Sequence, residues 1–349
     1  MKKILFFIGT LEKGGAERVV SILSNELVKK EYEVEILKYY NSNNSYELSD
    51  KVIVNSVEEN TNTTNIISNL KWIKNYFNNK HDIIISFLAP FNMLALWANK
   101  NNKTPIIVAD RNDPNKIPAK QYLRTIRNIL YSKYSDGVVL QTKENEEYFK
   151  NIKNKTTVIN NPVVIDVDTD NVKKENVIVS VGRLIPQKNQ LMMIDAFNEI
   201  VKEYPDYKLI IYGEGNSREE LTKHISNLNL DGKVLLPGNT DDILNKIKTA
   251  KLFLLTSNYE GMPNALIEAM CLGLPVISTK VSGANQLIEN GNNGYLVNDL
   301  NDLIDKIKTI LSNELLQEKM SKNTKQTKEL FNVDTITQQW IDFINKYIK

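Results

Sequence analysis

The stretch Lys251 to Ser278 limits the fold more than any other part of the chain. Leu252-Phe-Leu-Leu-Thr256 is a short, continuous apolar run, as expected of a strand covered on both faces. Pro263 suits the first turn of a helix, where its missing N–H costs nothing. Ala265, Ala269, Met270 and Leu272 continue that helix. Gly273 stands where a left-handed C-terminal cap is wanted, and Pro275 prevents continuation. Val276 and Ile277 open another strand. Strand, loop, helix and strand in so short a span predict a right-handed βαβ unit.

Two carboxylates lie in unusual places within this unit. Glu260 falls in the loop at the strand's carboxyl end, where ligands of open α/β sheets bind. The first N–H groups of the helix, near Asn264 and Ala265, point the same way and favour anions. Glu268 sits two turns into an apolar helix, where a carboxylate is costly unless it is hydrogen-bonded. Vicinal sugar hydroxyls would be suitable donors. Taken alone, the pair reads equally well as a half-exposed helix residue and a solvated loop charge.

The same alternation extends along the chain. Residues 3–8 read as a strand running into Gly9-Thr-Leu-Glu-Lys-Gly14-Gly15-Ala-Glu-Arg18, with a helix after it carrying Val19, Ile22, Leu23 and Leu27 at helical spacing. A glycine turn there is either an anion cradle or simply a tight βα connection. It lacks the Lys-Ser/Thr of a P-loop and the Gly-x-Gly-x-x-Gly fingerprint. Further strands are expected at 32–37, 52–54, 82–88, 105–109, 137–140 and 157–160, with helices at 65–77, 91–100, 116–133 and 144–149. Asp110-Arg111-Asn112-Asp113-Pro114 falls at a strand's carboxyl end and reads as a site or as a solvated turn. Residues 163–175 are polar and read as an interdomain linker. A second set of strands follows at 177–181, 209–212, 234–236, 251–257, 276–278 and 294–297. Arg183 and Lys188 flank the turn after the first of these, where a planar fork and a point charge could neutralise a diphosphate.

Length and composition agree with two soluble domains. The chain has 349 residues, 42% hydrophobic and 25% charged. A formal net charge of +2 gives no footprint for nucleic acid. The one cysteine, Cys271, excludes an internal disulfide and fits a reducing, cytoplasmic compartment. His81 and His224 show no metal-ligand spacing. The apolar run at Ile4–Ile8 is too short for a signal peptide, and no run approaches a membrane span. Asp166-Val-Asp168-Thr-Asp170 has the Asp-x-Asp form of a metal site. It lies in polar chain rather than at the end of a buried strand, which argues against that role.

Glu260-Gly-Met-Pro-Asn-Ala with Glu268, closed by Gly273-Leu-Pro275-Val-Ile-Ser, resembles the donor-site signature of the retaining glycosyltransferases of family 4. Gly182-Arg183-Leu-Ile-Pro-Gln-Lys188-Asn resembles that family's diphosphate loop, and Gly14-Gly15-Ala-Glu-Arg18-Val its N-terminal glycine loop. The likeness covers essentially the whole chain and is densest over 176–298. It implies the GT-B fold, α/β with two doubly wound Rossmann-like domains facing a central cleft. Residues 1–165 would form the acceptor-side domain, 166–175 the linker and 176–330 the nucleotide-sugar domain. Residues 331–349 would be a helix packing back towards the N-terminal domain.

The resemblance also implies roles. Glu260 approaches the transferred hexose, Glu268 holds the ribose, and Arg183 and Lys188 stabilise the leaving diphosphate. Gly15, Gly261, Met262, Pro263, Asn264 and Ala265 complete the donor site. Gly14, Arg18 and Arg111 lie on the acceptor or sugar side, Arg111 where many members carry a histidine. The implied reaction moves a hexose or N-acetylhexosamine from a UDP-linked sugar to a glycan or polyprenyl-diphosphate-linked acceptor. It proceeds with retention and without metal, in the assembly of capsule, lipopolysaccharide or related bacterial surface glycans. A nucleotide-sugar epimerase of the same architecture is the alternative, but it needs paired acid/base groups and only Glu260 is placed as one.

One segment adds a further expectation. In 116–133, Lys120, Arg124 and Arg127 recur at helical spacing and predict a basic stripe, with Leu123, Ile126 and Leu130 beside it and Pro118 at the helix start. Such a helix could meet an anionic membrane at the cytoplasmic face or grip an acceptor diphosphate. It could equally turn its apolar side into the core and leave its cations merely solvated.

Overall fold

The computed structural model describes residues 1–12, 14–63, 65–78, 81–169 and 172–348. The chain forms two compact units: Met1–Pro162 together with Phe331–Lys349, and Val163–Leu330.

The first unit is built on a seven-stranded sheet of β1 (Lys3–Ile8), β2 (Glu33–Lys38), β3 (Ile53–Ser56), β4 (Ile83–Phe87), β5 (Ile106–Ala109), β6 (Gly137–Leu140) and β7 (Thr156–Val158). Its order is β3-β2-β1-β4-β5-β6-β7, parallel throughout. Both faces of the central strands are buried, which is why these segments read as unbroken apolar runs. One face takes Phe6, Ile8 and Phe87 with Trp340 and Phe343 from the C-terminal helix Val333–Ile344. The other takes Phe7, Ile84 and Val108 with Phe77 and Tyr131. The strand order reverses between β1 and β4, so the glycine loop after β1 lies at a topological switch point.

The second unit repeats the plan with six parallel strands: β8 (Val177–Val181), β9 (Lys208–Tyr212), β10 (Val234–Gly238), β11 (Leu252–Leu255), β12 (Val276–Thr279) and β13 (Gly294–Val297). The order β10-β9-β8-β11-β12-β13 reverses between β8 and β11. The Arg183–Lys188 loop follows β8 and the Glu260 loop follows β11, so the two loops flank the reversal.

The polar run after Pro162 belongs to this second unit and is not a free tether. Ile165 and Val167 pack on its core. Lys325 Nζ donates to Thr169 O at 3.0 Å, and Lys174 Nζ to Lys248 O at 2.8 Å. Burial depresses the Lys174 ammonium to about 8, with the nearby Lys325 adding to the effect. Asp170 lies outside the described residues.

The helix expected over 116–133 starts later, at Gln121, and runs to Tyr134. Pro118 therefore precedes the helix instead of opening it, and Lys120 is its N-cap. The cause is Arg127, whose guanidinium takes the carbonyls of Ile117 (2.5 Å) and Pro114 (3.1 Å) and holds 114–120 as a loop.

Candidate functional site

In the second unit, backbone packing brings three loops together. Gly213 has φ +141°, and a Cβ there would lie 2.0 Å from Gly182 O. A Cβ on Gly215 would lie 2.2 Å from Leu184 O. The turn after β9 can therefore press against the Arg183 loop only because both residues are glycine. Across the switch point, Gln187 Nε2 donates to Tyr259 O at 2.9 Å, and Asn258 N donates to Gln187 O at 2.8 Å. The Thr256 hydroxyl lies 3.1 Å from Lys188 O and 2.9 Å from Asn189 O. These bonds stitch the two loops into one surface.

That surface carries the expected charges. Lys188 Nζ meets Glu260 Oε1 at 2.5 Å, with side chains only 18% and 11% exposed. The Ser257 hydroxyl donates to the same oxygen at 2.7 Å. Arg183 is exposed on the same loop, and its guanidinium pairs with no described residue. Thus one cation holds the Glu260 carboxylate while the other is exposed to solvent. Their neighbours Gly261, Met262 and Pro263 are buried, and Gly283 lies close enough that a Cβ on it would meet Gly261 O at 2.6 Å.

The helix after this loop runs Asn264–Cys271, with Pro263 as its N-cap, which offers no side-chain cap bond. The positive end of the helix dipole therefore lies at the Glu260 loop. Gly273, at φ +77°, closes the far end with bonds from Gly273 N to Met270 O and Leu274 N to Ala269 O. Glu268 is 5% exposed, within the helix that follows the Glu260 loop. Its charge lies close enough to Cys271 to act on the thiol, which burial foremost, and then Glu268, pushes up to about 12. Cys271 is therefore an inert packing residue.

The N-terminal residues divide into two groups. Gly14 caps the helix Gly15–Lys29 in extended backbone, and Gly15 is exposed at its start. The Gly14 N–H donates to the Tyr46 hydroxyl at 3.2 Å, and that hydroxyl donates to Gly14 O at 3.0 Å. Tyr46, in the segment between β2 and β3, thus fixes the glycine loop. Arg18 sits half-buried in the first turn.

Arg111, expected on the sugar side, is instead a buried latch. Its guanidinium lies 5.1 Å from the Phe87 ring and 5.4 Å from the Trp340 ring. Its Nη1 donates to Ile159 O and Asn161 Oδ1. Burial lowers it to about 9, so the cation persists at neutral pH. It ties the end of β5 to the chain leaving β7 and to the C-terminal helix.

The basic stripe dissolves in the structure. Arg127 is fully buried, donating also to Asn128 Oδ1 at 3.0 Å and lying 3.7 Å from Asp110 Oδ2. Arg124 is half-buried and spends its Nη1 on Pro118 O and Ala119 O. Lys120 remains exposed beside Tyr122. Of the apolar partners, Leu130 is buried, but Ile126 is 44% exposed, with Tyr122 and Ile129 exposed beside it. A guanidinium that makes four hydrogen bonds to surrounding oxygens is held more firmly than water would hold it, so charge alone misplaces Arg127.

The remaining polar candidates are plain. His81 Nε2 meets Glu35 at 2.7 Å and His224 meets Asp195 at 2.6 Å, each a local pair. Asp166 and Asp168 are exposed, and no group of three metal-ligating side chains occurs among the described residues. No helix among them is long and apolar enough to cross a membrane.

Comparison with known proteins identifies the family and the fold. The profile of the glycosyl transferases group 1 matches residues 165–327. The chain is 30% identical, over 99% of its length and 98% of the other's, to a Campylobacter jejuni alpha-1,4-N-acetyl-D-galactosaminyltransferase acting on a diphospho-undecaprenol-linked glycan. A second enzyme of that organism, an N-acetylgalactosaminyltransferase with a diphospho-undecaprenol substrate, is 29% identical over 99% of this chain and 100% of its own. In fold, the chain superposes on Staphylococcus aureus TarM, solved with UDP, at TM-score 0.85, 17% identity and coverage of 99% and 100%. It superposes on Anabaena HepE, solved with UDP and glucose, at 0.84 and 19%, again covering 99% and 100%. None of these is an epimerase, and that alternative finds no support. With two parallel Rossmann-like units and loops of this kind at the second switch point, the chain belongs to the group 1 glycosyltransferases, enzymes of family 4 with the GT-B fold.

Proposed function

We propose that this enzyme transfers an N-acetylhexosamine or hexose, with retention, from a UDP-sugar to a polyprenyl-diphosphate-linked glycan in bacterial surface polysaccharide assembly. The observation that carries the reading is the Lys188–Glu260 pair beside the open Arg183. A diphosphate placed over that loop meets Arg183 and one face of Lys188, and the attached sugar meets Glu260. As the bond to the leaving diphosphate breaks, the cations and the positive N-terminal end of the helix that starts at Asn264 stabilise the developing charge. Fixed charges of this kind do the electrostatic work that a metal does elsewhere. Glu268, buried below, is suited to accept from the ribose hydroxyls. The full-length relatives that use diphospho-undecaprenol-linked acceptors support the choice of acceptor.

The outer face of the helix Gln121–Tyr134 supplies a surface for the lipid. Tyr122, Ile126 and Ile129 are exposed there, with Lys116, Lys120 and Lys133 exposed on the same segment. Apolar side chains edged by lysines suit an anionic bilayer, each lysine adding about 1 kcal/mol near the surface.

Incubation with a panel of UDP-sugars and an undecaprenyl-diphosphate-linked saccharide, read by product mass and UDP release, tests the reaction. Transfer to the lipid-linked acceptor is expected; conversion of the UDP-sugar to its epimer without acceptor would refute it. Co-sedimentation with anionic vesicles should be lost when Tyr122, Ile126 and Ile129 are changed to Ser, and unaltered sedimentation would remove the docking role.

A further inference from the structure

The loop that presents Glu260 contains a residue that the donor-site reading does not use. Ser257 lies just past the end of β11 and is 1% exposed. Its hydroxyl donates to Glu260 Oε1 at 2.7 Å, and Lys188 Nζ reaches the same oxygen at 2.5 Å. Ser257 is itself held from the neighbouring strand, because Thr279 Oγ1 donates to Ser257 O at 2.6 Å. One carboxylate oxygen is therefore taken by two donors, and Oε2 is left to receive a sugar hydroxyl.

The two donors differ in what happens when substrate arrives. An ammonium on a four-carbon stem is a mobile point charge, and a diphosphate will compete for it. A carboxylate held by Lys188 alone would turn with it. The Ser257 hydroxyl is short, buried and pinned through its own carbonyl, and no phosphate can draw it away. We propose that Ser257 is a positioning residue for the reaction: it keeps Glu260 aimed at the sugar while Lys188 shifts to the diphosphate. The proposal rests on the donor-site reading above. It says that Ser257 acts only when the nucleotide carries a sugar.

The test uses the full chain with Ser257→Ala and Ser257→Thr. Calorimetry measures UDP and four donors (UDP-N-acetylgalactosamine, UDP-N-acetylglucosamine, UDP-glucose and UDP-galactose). Turnover is read as UDP release with the donor that the native enzyme uses fastest. A charge-assisted hydrogen bond corresponds to roughly 10- to 100-fold in binding. Ser257→Ala should leave UDP affinity within about twofold while lowering donor affinity and kcat/KM by that factor. Ser257→Thr, which keeps the hydroxyl, should recover most of the loss. Equal weakening of UDP and donor would mean that Ser257 only shapes the loop, and the proposal would fail. Unchanged donor affinity and turnover in Ser257→Ala would equally overturn it. If the native enzyme bound neither UDP nor any of the four donors, the donor-site reading itself would fall, and the proposal with it.

Discussion

Replacing Arg127 with Met tests what holds the loop of residues 114–120 in the first unit. The native guanidinium is fully buried and serves three oxygen atoms directly: Ile117 O, Pro114 O and Asn128 Oδ1. It also faces Asp110, whose carboxyl is fully buried and bonded to Tyr131. Methionine fills similar space but orphans two loop carbonyls and removes the stronger of the two cations that act on Asp110, leaving Arg111. Removing one partner of a buried pair costs about 3–5 kcal/mol. All three tryptophans, Trp72, Trp97 and Trp340, lie in the first unit, so fluorescence during urea unfolding reports that unit selectively. With a slope of about 2 kcal/mol per molar urea, the midpoint should fall by about 1.5–2.5 M.

The pH dependence has a definite sign. Burial raises the Asp110 carboxyl above its ordinary value, while Arg127 pulls it back. A carboxylate raised in the folded state costs stability at neutral pH, and that cost disappears as pH falls through its folded pKa. Without Arg127 the carboxyl rises further, so the deficit of Arg127→Met should be smaller at pH 5 than at pH 8. Asp110→Asn combined with Arg127→Met should cost less than the sum of the singles, by about 0.5–3 kcal/mol. A single-variant loss below about 1 kcal/mol, or strict additivity, would refute the claim that this pair anchors the loop.

Other outcomes follow from the second unit. Glu268→Gln should weaken UDP binding by about 1–3 kcal/mol in calorimetry, and unchanged affinity would reject a ribose role. Lys188→Ala should cut turnover on the order of 100-fold, and Arg183→Ala similarly, because on the proposed reading each removes a cation available to the diphosphate. Near-native rates in both would place the diphosphate elsewhere. Turnover should survive EDTA; loss restored by manganese or magnesium would contradict charge stabilisation by these two residues alone. Gly213→Ala should destabilise the second unit by about 1–3 kcal/mol or more, since its φ and the Gly182 carbonyl both exclude a Cβ. A melting temperature equal to native would show that the turn can relax.

The sequence by itself determined the elements and the switch-point loops of the second unit. Apolar runs of strand length, alternating with amphipathic helices, leave a doubly wound parallel sheet as the solution. Pro263 and Gly273 mark the ends of the central helix through backbone chemistry that acts locally. Glu260, Lys188 and Arg183 could be singled out because strand ends are legible and a charge at such an end has few structural excuses. Ser257 carried only a faint signal, a hydroxyl three residues before a carboxylate, and its bond to Glu260 depends on how the loop folds back.

What only the tertiary structure decided is where long cations go. Lys120, Arg124 and Arg127 share one helical stripe in sequence, yet Arg127 is buried because uncapped loop carbonyls and Asp110 converge on it. Arg111 occupies a strand end as a ligand residue would, but is stacked against Phe87 and Trp340, a contact that needs the C-terminal helix. Periodicity reports which direction a side chain leaves the backbone. Whether that direction holds water, a ligand or another part of the chain depends on contacts distant in sequence: loop oxygens for Arg127, and for Arg111 two bonds from Nη1 together with the two aromatic rings.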